Sequence, residues 1–428
     1  MKHLTQIINL VGGSKLLAID VANSKEVQVN AIVRAGFLYT PKSKYELPHL
    51  LEHLCFDGNE EYKDPQKFAY QLESLGIYSN AFTSSQNVRY HFDGHVDDIE
   101  NILELIFTQI NRPLFLDKFV KQEKEVITNE NNRYSKDDDY VCWLNSAKSI
   151  SADAMSAEDR TNTLKSISAE DIKAFHTKTH TSGNTYFLVS GDIKTKISLI
   201  EDKLNNLLTQ YRSGERIQYQ PEKVLAFQKK VVTAPAVHTN LSHFDLTFIH
   251  KGFPRELGPA LRIFNCMYNI GIFSRMHFKA RSKGLTYGTS SSYYLDRDNS
   301  GFTISDKTAP EKLLPLFTLA VEELASILNG DFSEREFTRA QGYVTRQFET
   351  GFFTPGGLAS WYREYFSEDI ECIDPRKELQ TLKSITQQDI LQLKEKFFIP
   401  KSWVISLVGN NLEKNQSQYV KVVEKYFG

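Results

Sequence analysis

Two stretches of this chain can be laid over one another without a gap. TLKSISAEDIKAFHTKTHTSGNTYFLVSG runs from Thr163 to Gly191, and TLKSITQQDILQLKEKFFIPKSWVISLVG runs from Thr381 to Gly409, an offset of 218 in 428 residues. In each, Ser168 or Thr386 stands at an expected helix N-cap, and Asp171 or Asp389 follows three residues on. An amphipathic run comes next, then a buried strand that ends at glycine. The same shift carries alternating EVQVNAIVRAG near Val27 onto SHFDLTFIH near Phe244. It also lays the helical pattern of Ile99, Ile102, Leu103 and Ile106 over the similar pattern of Leu314, Phe317, Val321 and Leu324, with Ile99, Leu103 and Ile106 falling on Phe317, Val321 and Leu324. Such a chain is expected to fold as two copies of one α/β unit. The expected division is a first repeat over residues 1–211, a connector over 212–235 closed by Pro235, and a second repeat over 236–428.

Composition agrees with two folded domains, since a chain this long outgrows a single core. The formal net charge of -2 comes with no basic block, which argues against nucleic acid or an anionic membrane as partner. The opening MKHLTQIINLVGGSKLLAID lacks a signal-peptide core and cleavage site, and no run approaches membrane-spanning length, so a cytoplasmic location is expected. Cys55, Cys142, Cys266 and Cys372 lie far apart with no C-x-x-C spacing. That pattern suits core thiols in a reducing compartment and argues against a cysteine zinc site.

Chemistry concentrates in PHLLEHLCFDG, Pro48 to Gly58. On a helix, residues four apart stack on one face, so His49 and His53 can reach one ion while Glu52 points beside it. Two neutral imidazoles are good zinc ligands, and an adjacent glutamate can take a proton from water. The pattern is H-x-x-E-H, the inverted zinc motif, and it needs a third ligand. KFVKQEKEVITNENNRY offers Glu123 and Glu130, seven apart and on the face of Val120 and Ile127. By themselves these are either a solvated helix face or carboxylates that call for a cation.

Together these segments resemble the pitrilysin-type zinc metallopeptidases, the inverzincin family of insulin-degrading enzyme and mitochondrial processing peptidase. There the motif is followed, some 76 or 77 residues after its second histidine, by a ligand glutamate with another glutamate seven residues earlier. Here Glu130 lies 77 residues after His53 and Glu123 seven before Glu130. The resemblance spans essentially the whole chain. It implies an α+β fold whose two repeats, each a largely antiparallel sheet with packed helices, close as a clamshell around a peptide chamber. It implies one Zn2+ per chain held by His49, His53 and Glu130, with Glu52 as general base and Glu123 orienting a ligand.

Two further segments match that family. YSNAFTSSQNVRYHF resembles its edge strand, on which Asn80 and Ala81 would hydrogen-bond an extended peptide. FSRMHFKARSKGLTYGTSSSYY resembles its second-repeat segment, with Arg281 and Tyr287 at the positions that reach the scissile carbonyl. Many members carry one more residue between that Arg and Tyr. Glu46 and Pro48 also depart from the pattern, standing where members often carry glycine and a small residue. The resemblance implies a zinc endopeptidase acting on extended peptides or short unfolded polypeptides, working as a homodimer. The rival is a non-catalytic peptide-binding or assembly subunit of the same fold.

The shift of 218 places Met267, Ile270 and Gly271 opposite the motif and Phe348 opposite Glu130, so only the first repeat is expected to hold metal. His176 with His180, and His91 with His95, have the four-residue spacing but no acidic residue to complete a site. TPGGLA at Thr354 lacks the lysine of a phosphate-binding loop.

Overall fold

The computed structural model describes residues 3–225, 229–352 and 354–428, so residues 226–228 of the expected connector lie outside it. The chain forms two compact units. In the first, strands β1 (His3–Asn9), β2 (Lys15–Val21), β3 (Glu26–Val33), β4 (Tyr78–Thr83), β5 (Val88–His95) and β6 (Thr185–Gly191) form one sheet. Their order is β1-β2-β6-β3-β5-β4. The second unit has β7 (Lys230–Ala234), β8 (Ser242–Lys251), β9 (Ser290–Leu295), β10 (Asn299–Thr308) and β11 (Trp403–Val408), in the order β7-β11-β8-β10-β9. Pairing is antiparallel except for β2 with β6 and β7 with β11.

The duplication is therefore visible in topology. Strands β2, β6, β3, β5 and β4 correspond in order and direction to β7, β11, β8, β10 and β9, and the first sheet adds β1. Both helices that precede the matching strands, Ala169–Thr179 and Gln387–Lys396, begin with capping boxes built on Ser168 with Asp171 and on Thr386 with Asp389. The α+β class expected from the sequence holds.

The compact units do not coincide with the two halves of the sequence. The first comprises Met1–Asn131, Glu158–Gln220 and Glu349–Pro375; the second comprises Asn132–Ala157, Pro221–Phe348 and Arg376–Gly428. Each repeat thus gives one helical segment to the other unit. The reason lies in the sheets: β6 is buried along its whole length and β3 nearly so, which requires cover on both faces. On the first sheet that cover includes the helix Pro355–Ser367, whose Leu358, Ala359, Tyr362 and Phe366 are buried. Tyr362 Oη meets His3 Nε2 at 2.9 Å, and the Phe366 ring lies 5.3 Å from that of Tyr186. On the second sheet the helix Asp138–Ile150 does the same, with Ser146 Oγ donating to Asp245 Oδ1 at 2.6 Å.

No described helix is long and apolar enough to cross a membrane. Cys55, Cys142 and Cys266 are buried thiols, as expected, whereas Cys372, expected in the core with them, is only half-buried.

Candidate metal centre

The helix Leu47–Leu54 takes its orientation from its apolar residues. Leu50, Leu51 and Leu54 are fully buried in the core of the first unit, and Pro48 sits in the first turn, where its missing N–H costs nothing. With those sides committed, His49 and His53 fall together on the remaining face, their ring centroids 4.8 Å apart and the planes at 88°. The helix Asp117–Ser135 faces them. Its Val120 and Ile127 are buried in the same core, which turns Glu123 and Glu130 toward the two rings.

Each imidazole is oriented by a carboxylate. His53 Nδ1 lies 2.8 Å from Glu123 Oε2, and His49 Nδ1 lies 2.8 Å from Glu46 Oε2. An ionised carboxylate only accepts, so both Nδ1 atoms carry the proton and both Nε2 atoms keep a lone pair in the neutral ring. Glu130 Oε2 is 3.8 Å from His49 Nε2. One ligand atom from each of His49, His53 and Glu130 lies within 4.8 Å of the others, and among the described residues no second such group occurs. Two imidazole nitrogens and a carboxylate oxygen, with both rings oriented from behind, are donors of the kind that would hold a zinc ion. The residues fit the metal that the motif implies.

Glu52 is 8% exposed, and the Thr83 hydroxyl at the end of β4 donates to its Oε2. Burial raises its carboxyl above the ordinary range, opposed by His49, Thr83 and His53. Burial would lower His53, but the Glu123 hydrogen bond and the charges of Glu52, Glu123 and Glu130 leave it raised. Because Thr83 belongs to β4, the candidate base is tied directly to the strand that carries Asn80 and Ala81. That strand lies at the edge of its sheet, paired with β5 on one side only. The Ala81 N–H is held by Asn80 Oδ1 at 2.8 Å.

Glu46, which departs from the family's pattern, has a place in the site. It is fully buried, accepts from His49 and from Arg160 Nε, and is held below the ordinary carboxylate range because these partners outweigh burial. It serves His49 as Glu123 serves His53. Its spacing, three residues before His49, was the available signal; Arg160 is 114 residues away from it and gave none. Glu46→Gln is expected to weaken zinc binding by about 10- to 100-fold, measured by competition with a chromophoric chelator. An unchanged dissociation constant removes Glu46 from the site.

Arg281 ends up beside Tyr287, its guanidinium 5.1 Å from the ring centroid, in the second unit. Tyr287 is 82% exposed, and both line a cavity of about 1180 Å³ with Trp143, His243 and Asp306. Gly284, at φ +62, makes the left-handed turn between them. The positions opposite the candidate ligands are apolar, with Met267 and Phe348 buried. His176 and His180 are core residues: His176 Nε2 bonds the Ile110 carbonyl, and burial pushes its imidazole down to about 4. His91 and His95 lie on β5, where four-residue spacing does not bring side chains together.

Residues 15–164 match the family model for insulinase, peptidase family M16, and residues 166–343 match the model described as the M16 inactive domain. A Rickettsia felis protein named an uncharacterized zinc protease is 22% identical over 413 residues, 93% of this chain and 96% of its own. Mitochondrial-processing peptidase subunit beta of Dictyostelium discoideum is 24% identical over 208 residues, 47% of this chain and 44% of that protein. The crystal structure of a protease from Helicobacter pylori has a TM-score of 0.82 at 17% identity, covering 95% of this chain and 99% of that one, which shows a shared fold.

Proposed function

The chain belongs to peptidase family M16, and from that premise we propose that it is a zinc-dependent endopeptidase cutting extended peptides or short unfolded polypeptides. One observation carries the reading: the donor atoms of His49, His53 and Glu130 converge within 4.8 Å while both imidazole Nδ1 atoms are held by carboxylates. A zinc ion bound there supplies a Lewis acid that brings the ionisation of water into the neutral range.

The chain's own residues do the rest. Glu52, held by Thr83 and raised by burial, takes a proton from the attacking water and returns it to the leaving amine. The free edge of β4 aligns the peptide by hydrogen bonds at Asn80 and Ala81, and the Ala81 N–H exchanges its bond to Asn80 Oδ1 for one to the peptide. Arg281 and Tyr287 keep the part that the resemblance assigns them, as donors to the oxyanion. The reading includes one zinc per chain, a homodimer and a cytoplasmic location.

The test is elemental analysis of the purified protein together with cleavage of a quenched peptide library. Cleavage lost to 1,10-phenanthroline and regained with zinc is the expected result. A protein that holds about one zinc per chain and binds the peptides but cuts none is the non-catalytic subunit instead.

A further inference from the structure

Side chains along β4 alternate between the two faces of the sheet. Thr83 turns to Glu52, so Phe82 and its cross-strand partner Arg89 on β5 stand on the opposite face. There the helix Pro355–Ser367 brings up Arg363 and Glu364, and these side chains with Asn87 line a cavity of about 250 Å³ within the first unit.

The charges in this notch do not balance. Arg89 is half-buried over the Phe82 ring, 6.0 Å from its centroid. Among the described residues it has no ion-pair partner, and its Nε and the Asn87 Oδ1 are both buried without a hydrogen bond. Arg363 Nε donates to Glu364 Oε1 at 3.1 Å, leaving two guanidinium groups to one largely exposed carboxylate. Burial and the neighbouring Arg363 hold Arg89 down to about 10, so it stays charged at neutral pH. The charges of Glu364, Asp93 and Glu52 oppose that lowering without any of them pairing directly with Arg89; a cation kept partly desolvated and incompletely compensated lowers stability, and a bound anion reduces that cost.

We propose that this notch is a specificity subsite that accepts a carboxylate of a peptide lying along β4. The inference rests on the reading of β4 as the peptide-binding edge. An added strand alternates as β4 does, so every second side chain of the peptide falls on the face of Phe82. An aliphatic stem there packs on the exposed Phe82 ring, and its carboxylate meets the donor forks of Arg89 and Arg363. The carboxylate belongs to an aspartate or glutamate side chain, or to the end of a short peptide.

The probes are otherwise neutral peptides in which a single Glu or Gln is walked through every position, each made as the C-terminal acid and amide. Binding to the Glu52→Gln variant is read by fluorescence anisotropy. At alternate positions Glu is expected to bind roughly 10- to 100-fold tighter than Gln. That ratio should fall toward unity when Arg89→Gln or Arg363→Gln is added. A preference for the acid over the amide, lost in the same variants, assigns the subsite to the peptide terminus. Equal affinities for all probes, including no measurable binding of any, overturn the proposal, as does a preference that survives both substitutions. Cleavage of the neutral peptides by the wild type is a separate readout. Its failure with the binding ratio intact would end the peptidase reading and leave the subsite standing.

Discussion

Glu52→Gln is expected to lower kcat on a quenched peptide by about 10³-fold, within the range for a lost general base, with zinc content unchanged. The amide has nearly the shape of the carboxylate and still accepts from Thr83, but it cannot take a proton from water. Glu52 is not one of the three converging donors, and the hydrogen bonds that orient His49 and His53 come from Glu46 and Glu123. Metal binding and catalysis should therefore separate in this variant. Turnover and zinc are to be measured on one preparation. Activity above about a tenth of wild type, far outside the range for a lost base, would place the proton-accepting role on another group.

Glu130→Gln is expected to do the reverse and remove the metal. The carboxylate is the only anionic member of the donor set, and an amide oxygen is a weaker, neutral ligand. One ligand's share of a structural zinc site worth roughly 10–16 kcal/mol is about 3–4 kcal/mol, on the order of 150- to 900-fold in affinity. Hydrolysis at limiting zinc should fall in proportion and recover in part with excess metal. Glu52→Gln should show no such recovery. Glu130 is half-exposed at the end of its contact with His49, so the fold should tolerate the change. A variant that binds zinc as tightly as wild type shows that the carboxylate is not a ligand.

These two expectations rest on residues whose spacing was readable. His49, Glu52 and His53 lie within one helical turn and Glu123 and Glu130 within two, so each set holds its geometry wherever its helix is placed. That the two helices face each other was implied only by resemblance to a known family, because nothing local states which helix packs on which. Glu46 shows the opposite case. Its helical spacing to His49 was visible, yet its part depends on complete burial and on Arg160, and neither can be read from neighbouring residues. The same holds for Thr83 on Glu52 and for the unbalanced notch at Arg89 and Arg363.

By itself the sequence determined what is local or repeated: two capping boxes 218 residues apart, one α/β unit present twice, and a histidine pair with its intervening glutamate in the first repeat alone. Those features follow from backbone preferences and periodicity, which act over a few residues. Only the tertiary structure decided which helix covers which sheet, so that Pro355–Ser367 closes the first unit and Asp138–Ile150 the second. It alone placed a buried glutamate behind His49. Hydrophobic burial is not directional, and an amphipathic helix records that it must be covered without recording by what. Partners of that kind are chosen by shape and charge once the chain has come together.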